Sequence, residues 1–241
     1  MNDAEQIDQA IGAISGGRVL DIATGTGSTI QWMMETLKDY EWFLGVDSVD
    51  ITLRTFEDEN VFESDDVEFQ RMDAHHLELN DASFDTVTTT RSLHHFADPA
   101  QVMDEIMRVL RPGGHVLIGD MYSDNQTETQ MTHVLAHHWW ARIDAALGID
   151  HTETFTRQQI VVLVENMGLS RVEYFDYADF DGEATDIART EFTKRQITRY
   201  LDKAKDLPNF DAIQAEADML LRRLDEVGIH GATMLFAIGE K

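Results

Sequence analysis

Residues 18–32, RVLDIATGTGSTIQW, carry two glycines, Gly25 and Gly27, one residue apart at the end of an apolar run. Such a turn lets backbone N–H groups approach a nucleotide-like ligand, because glycine has no Cβ and tolerates a left-handed backbone. A dinucleotide fold asks for a third glycine three residues further on, so that strand and helix pack closely. Ile30 stands there, and a branched side chain counts against that packing. Ser28 and Gln31 form an S-x-x-Q pair, which predicts a capping box opening the next helix. The N-terminal end of that helix favours a negative group such as an amino-acid carboxylate. Asp47 closes the second apolar run, about twenty residues past the glycines, where a carboxylate accepts from both hydroxyls of a ribose. Several nucleotide folds share that feature, so alone it does not choose among them.

Histidine is the other residue suited to chemistry. His94 and His95 follow the fourth apolar run in SLHHFADP. Imidazole titrates near neutrality, so either ring can act as a base or orient a ligand. His95 is the first choice and His94 the second; the alternative is a loop whose rings cap backbone or pack under the ligand. His133 and His137, four apart in HVLAHHWW, share a helix face at a spacing that suits a metal. A complete site would need a third ligand such as His94 or His95, and no metal is expected. With Trp139 and Trp140 they form either a lid over an aromatic or hydrophobic ligand or a packing stripe. His75 and His76 are expected to contribute backbone contacts only.

The elements that position these residues follow from periodicity. RVLDIA, EWFLGVD, VEFQRMD, SFDTVTTT, HVLIGDMY, RVEYFDYA and ATMLFAIG read as strands. STIQWMMETLKDY, SVDITLRTFEDE and DPAQVMDEIMRVL lie between the early ones with helical spacing. This alternation predicts an α/β, doubly wound, Rossmann-like and mostly parallel sheet with helices on both faces. Two segments exceed that minimum. Residues 126–148 read as a long amphipathic helix, and residues 183–228 as a helical insertion broken near Leu207–Pro208. The expected organisation is a ligand-binding domain over 1–182 and 229–241, with 183–228 as a cap or dimerisation element. Before the first strand there is room for about one helix. Arg189, Lys194, Arg195, Arg199 and Lys203 gather positive charge in the insertion, where pairing with Glu191 and Asp202 is the expected use.

The 241 residues suit one sizeable α/β domain with additions, and a 43% apolar fraction is enough for a full core. The net charge of −26, from 45 acidic and 19 basic side chains, must then lie on the surface. Such a surface repels phosphate backbones and anionic lipid, which argues against nucleic-acid and membrane partners. Aspartate outnumbers glutamate, and the basic side chains are 14 Arg and 5 Lys, a balance resembling proteins of salt-rich cytoplasm. The absence of cysteine removes disulfides, thiolate metal sites and thiol nucleophiles together. The acidic, amphipathic first residues predict no secretory leader, no stretch has the length of a membrane span, and a cytoplasmic protein is expected.

Four stations occur in order: VLDIATGTG, RMDAHHLELNDASFDTV, SLHHFADP and MRVLRPGGHVLIGD. Together they resemble the class I S-adenosylmethionine-dependent methyltransferases, nearest the small-molecule type that includes the ubiquinone and menaquinone C-methyltransferases. The likeness runs over roughly residues 17–122. It implies a seven-stranded sheet of order 3-2-1-4-5-7-6 with an antiparallel last strand, reached after the helical insertion. It also implies that Asp21, Ala23, Gly25 and Gly27 wrap the methionine part of S-adenosylmethionine. Asp47, with Ser48 beside it, would hold the ribose. Asp73 and Ala74 would meet the adenine, the carboxylate accepting from its exocyclic amine, and Thr90 and Arg91 would pass close to the sulfonium.

The implied reaction is an in-line displacement on a small organic acceptor, with S-adenosylhomocysteine as product. Alignment and exclusion of water are the protein's main tasks, and a base is needed only for an acceptor protonated at working pH. Tyr122, His133, His137 and Trp140 are the candidate acceptor pocket, and a homodimer through the insertion is a possible assembly. Arsenic methylation through cysteines is excluded, and the N-P-P-Y signature of DNA and glutamine amino-methylation is absent. Two alternatives stay open. A nicotinamide-dependent oxidoreductase would share the glycine turn and Asp47 but leaves MDAHHL and LRPGG unexplained; a non-catalytic cofactor-binding or scaffold protein would bind without transfer.

Overall fold

The computed structural model describes residues 3–48 and 66–241. The elements are α1 (Asp3–Ile11), β1 (Arg18–Ile22), α2 (Ser28–Thr36), β2 (Trp42–Asp47), β3 (Val67–Arg71), β4 (Phe84–Thr90), a 3-10 turn (Leu93–His95), α3 (Pro99–Val109) and β5 (Leu110–Met121). Then follow α4 (Glu128–Ala146), α5 (Arg157–Asn166), β6 (Ser170–Tyr177), α6 (Ile187–Ala204), α7 (Phe210–Glu226) and β7 (Met234–Glu240). The helix expected over 48–59 lies, apart from Ser48, outside the described residues. Helix α5 is an element that the strand–helix alternation did not single out.

The sheet has the order β3-β2-β1-β4-β5-β7-β6, as the sequence implied. Strands β3, β2, β1, β4 and β5 pair in parallel. Strand β7 runs the other way: Gly113 N–H donates to Lys241 O at one end of its pairing with β5, and Tyr122 N–H to Thr233 O at the other. Val19, Leu20 and Ile22 on β1 are buried on both faces, as a parallel strand covered by helices requires. Asp21 pairs with Gly45 of β2 and Thr88 of β4, so the carboxyl ends of the three strands lie side by side. The chain order reverses across β1, and open α/β sheets bind ligands at the crevice so formed.

Two compact units share the chain. The first comprises Met1–Asp120, Gln158–Tyr177 and Leu235–Lys241. Its helix α3 starts where Asp98 accepts from the Gln101 N–H with Pro99 at the first helical position, and it buries Val102, Met103, Ile106 and Val109 on one face. Helix α1 buries Ile7 and Ile11 and packs on α2 and β6. The capping box expected at Ser28 does not form: Ser28 is already the first helical residue, and Gly27 sits at the cap with φ +74° and no side chain on the first-turn N–H groups.

The second unit comprises Met121–Arg157 and Ala178–Met234, so it holds α4 together with the insertion at 183–228. The insertion forms two helices, α6 and α7, which end and restart around Leu207–Pro208 as the apolar spacing predicted. Thr127 and Gln130 close a capping box at the start of α4. The core of this unit joins Trp139 and Ile143 of α4, Ile197 of α6, and Ala217, Leu220 and Leu224 of α7. Trp139 Nε1 donates to Ile213 O at 3.1 Å. No helix among the described residues is long and apolar enough to cross a membrane.

Candidate active site

The turn after β1 is a run of unusual backbone. Ala23, Gly25 and Gly27 all have positive φ, at +55°, +53° and +74°. Alanine adopts that conformation only at a cost, so Ala23 marks a loop held by its surroundings. The holding contacts are local: Thr24 N–H donates to Val46 O at 3.0 Å, and Gly25 N–H donates to Asp47 Oδ2 at 3.1 Å. The end of β2 therefore fixes the glycine loop after β1. A Cβ built on Gly25 would meet nothing nearer than Ala23 O at 4.0 Å, so this side of the loop faces open space. A ligand's backbone contacts would need that space, and the donor set fits a nucleoside with an amino-acid tail.

Asp21 lies under this loop, 1% exposed, and accepts from Thr24 Oγ1 at 2.6 Å. Burial pushes its carboxyl up from 3.8 to about 7; the Thr24 hydrogen bond opposes this and the charge of Asp47 adds to it. A carboxyl so raised is poised to ionise when a cation arrives nearby.

Past β3, Asp73 is held by its neighbour: its Oδ1 accepts from the His75 N–H at 2.9 Å and stands 2.8 Å from His75 Nδ1. Those two contacts, backbone first, keep the Asp73 carboxyl below its ordinary range. His75 Nε2 in turn accepts from Asp98 N–H at 3.1 Å. The side chain of His75 is thus structural, which corrects the expectation of backbone contacts alone. Ala74 is half-buried and Ser48 exposed, with Ser48 O accepting from Arg71 Nε at 3.0 Å.

The end of β4 closes on α2 through Thr29 Oγ1 and Thr90 Oγ1, 2.5 Å apart. Arg91 follows with φ +55°, its N–H donating to Gly119 O at 2.6 Å. The two histidines of the following 3-10 turn differ sharply. His94 is 3% exposed, with Nδ1 3.0 and 3.1 Å from the two carboxylate oxygens of Asp120. Asp120 Oδ2 also accepts from Leu93 N–H at 2.8 Å. His95 is exposed, its ring centroid 4.4 Å from that of His94. Asp120 and Thr24 did not emerge from the sequence as site residues; the only sign of Asp120 was its place closing the HVLIGD strand.

In the second unit, His133 Nδ1 accepts from Ala232 N–H at 2.9 Å, and the His137 ring lies 6.2 Å from His133, 6.1 Å from Trp140 and 4.8 Å from His151. Trp140 stacks on Tyr200 at 5.8 Å, and Tyr122 is buried. Three of the four acceptor-pocket candidates thus form one chain of rings. His151 Nδ1 and the Tyr200 hydroxyl share Asp144 Oδ2, at 2.9 and 2.7 Å. Burial pushes the Tyr200 hydroxyl up, and its hydrogen bond to Asp144 adds to that. The positive side chains of α6 pair more widely than helix spacing suggested: Lys194 reaches Glu191 and Asp225, and Lys203 reaches Asp144.

Residues 20–118 match the family described as methyltransferase domain. The chain is 28% identical over 179 residues to methyltransferase GfsG of Streptomyces halstedii, covering 73% of this chain and 60% of that protein. It is 37% identical over 106 residues to a demethylmenaquinone methyltransferase of Deinococcus radiodurans, covering 44% of each. The chain therefore spans less than two thirds of the length of these relatives. Among solved structures, a complex of the Haloferax volcanii Trm112 methyltransferase activator with a methyltransferase superposes with a TM-score of 0.62 at 21% identity, over 99% of this chain and 88% of that one. A Haemonchus contortus phosphoethanolamine N-methyltransferase 2 with S-adenosylhomocysteine gives 0.55 at 18% identity, over 98% of this chain and 53% of that one. These two likenesses show the fold. Residues 20–118 thus match a methyltransferase domain, and they lie in a seven-stranded sheet of the order β3-β2-β1-β4-β5-β7-β6.

Proposed function

We propose that this protein transfers a methyl group from S-adenosylmethionine to a small organic acceptor. The observation that carries the reading is the hydrogen bond from Gly25 N–H to Asp47 Oδ2, which locks a left-handed loop with open space above it to the end of the second strand. Asp21, Ala23, Gly25 and Gly27 would hold the methionine part, Asp47 and Ser48 the ribose, Asp73 and Ala74 the adenine, and Thr90 and Arg91 the sulfonium side. When bound, S-adenosylmethionine supplies a methyl group activated by its positive sulfur. Most of the remaining work is to orient the acceptor and exclude water. For an acceptor that must lose a proton, His94 is the base the geometry favours. Asp120 accepts from its Nδ1–H and so fixes the orientation of the ring. Asp120 is a positioning residue in this scheme, and His95 a secondary candidate beside it. A small-molecule acceptor fits the relatives, among them enzymes named for demethylmenaquinone and for 27-O-demethylrifamycin SV.

The deciding experiment is a calorimetric titration of cofactor-stripped protein with S-adenosylhomocysteine in concentrated potassium chloride. One-to-one binding at micromolar or tighter affinity is expected. No heat from a folded sample would overturn the reading, and NADH would be titrated next.

A further inference from the structure

The first unit contains a cavity of about 300 Å³, between α1, α2 and the ends of β4, β6 and β7. That volume lies at the lower limit of small-ligand pockets. Its walls are aromatic: Phe236 meets Trp32 edge-on at 5.6 Å and 62°, and Tyr177 edge-on at 6.4 Å and 68°. Gly119 makes this possible, since a Cβ there would come within 2.5 Å of the Phe236 ring. Trp32 is fixed in turn by Nε1, which donates to Asp8 Oδ1 at 3.0 Å and so engages the carboxylate of the lining. The Thr29–Thr90 hydroxyl pair closes the cavity at the β4 end.

Arg91 is the cation of this lining. The chain has 45 carboxylates against 19 basic side chains, yet among the described residues the Arg91 guanidinium makes no ion pair and no hydrogen bond. Its backbone is held in the left-handed region by the short bond from its N–H to Gly119 O, a conformation a non-glycine residue keeps only when its surroundings enforce it. An enforced turn that delivers an unpaired guanidinium to an aromatic cavity is an arrangement for an anion on a flat ring.

We propose that this cavity binds a planar aromatic carboxylate, its ring among Trp32, Tyr177 and Phe236 and its carboxylate on Arg91. The inference rests on the methyl-transfer reading in one respect: Thr90 and Arg91 are the residues assigned to the sulfonium side, so the bound acid would be the methyl acceptor, a carboxylate oxygen forming the O–CH3 bond as the S–CH3 bond of S-adenosylmethionine breaks and neutral S-adenosylhomocysteine leaves.

The test is a titration of the full chain with 2-naphthoate, with and without saturating S-adenosylhomocysteine, following the indole N–H NMR signal of Trp32 as assigned with Trp32→Phe. A saturable shift of that signal is expected. Affinity should fall about tenfold for the neutral isostere 2-naphthamide and about tenfold in Arg91→Asn, a substitution that tolerates left-handed backbone. S-adenosylhomocysteine is titrated into the same variant and into the parent, so that any loss on the cofactor side is read apart from the loss of naphthoate. The proposal falls if naphthamide binds as tightly as naphthoate, or if no saturable shift appears at millimolar naphthoate. It falls as well if Arg91→Asn abolishes S-adenosylhomocysteine binding and leaves naphthoate untouched. Naphthoate binding by a protein with no affinity for S-adenosylhomocysteine would retain the site and remove the methyl-transfer reading alone.

Discussion

His94 Nδ1 lies 3.0 and 3.1 Å from the two carboxylate oxygens of Asp120, with the aspartate wholly removed from solvent. A buried carboxylate on one ring nitrogen sets both the tautomer and the orientation of the imidazole. With an acceptor that must be deprotonated, His94→Ala is expected to lower turnover by about 10²–10⁴-fold, the usual worth of a positioned base. Asp120→Asn should lower it in the same direction and displace the pH–rate profile, because an amide can present its N–H₂ to the ring. His95→Ala should lower turnover less than His94→Ala and more than it lowers cofactor affinity. Initial rates beside S-adenosylhomocysteine titrations separate these outcomes; equal rates for His94→Ala and the parent would remove the base from the scheme.

Asp47 carries two tasks in one carboxylate, holding Gly25 N–H and, in the proposed complex, the ribose hydroxyls. Asp47→Ala should weaken S-adenosylhomocysteine binding by about 10²-fold or more, since each hydrogen bond to a charged group is worth about 1.5–3 kcal/mol. Calorimetry reads this directly. Unchanged affinity would overturn the placement of the ribose.

Asp21 makes stability depend on pH in a defined direction. Its folded value of about 7 exceeds its ordinary 3.8, so between those values the folded chain holds a proton that the unfolded chain releases. Stability from this group is therefore highest near pH 4 and declines as pH rises to 7. Asp21→Asn removes the slope, so the Tm of the variant relative to the parent should climb from pH 4 to 7. A constant difference across that range would mean that Asp21 ionises freely in the fold.

A net charge of −26 repels itself in the compact state. Added potassium chloride screens that repulsion, with a Debye length that shortens from about 10 Å at 0.1 M to about 3 Å at 1 M. Tm should rise over that interval and continue upward if the surface is adapted to salt. A Tm that falls with salt would contradict the salt-adapted reading of the composition.

Much of the molecule was legible in the residues themselves. Alternating apolar runs and helical spacings gave the strands and most helices, because burial of one face imposes period 2 or 3.6 on any sequence that folds this way. The glycines at 25 and 27 and the aspartate at 47 announced a nucleotide crevice, since few other arrangements need that combination within about twenty residues. What the sequence could not convey was which distant side chains meet. Ser28 and Gln31 fit a capping pattern, yet Gly27 took the cap because its left-handed backbone started the helix one residue earlier than the pattern requires.

His94 and His95 are adjacent and identical in type, and only the packing of the β4 and β5 ends decides that His94 turns inward to Asp120 while His95 faces solvent. The same holds for the aromatic cavity. Trp32 lies more than a hundred positions before Tyr177 and Phe236, and it is the antiparallel return of β7 beside β5 that lays Phe236 over Gly119 and completes the wall. Local pattern is a property of neighbours along the chain, so it determined elements and loop chemistry. Contacts across the sheet depend on strand order and register, so the tertiary structure alone decided which histidine has a carboxylate behind it and which arginine lines a cavity.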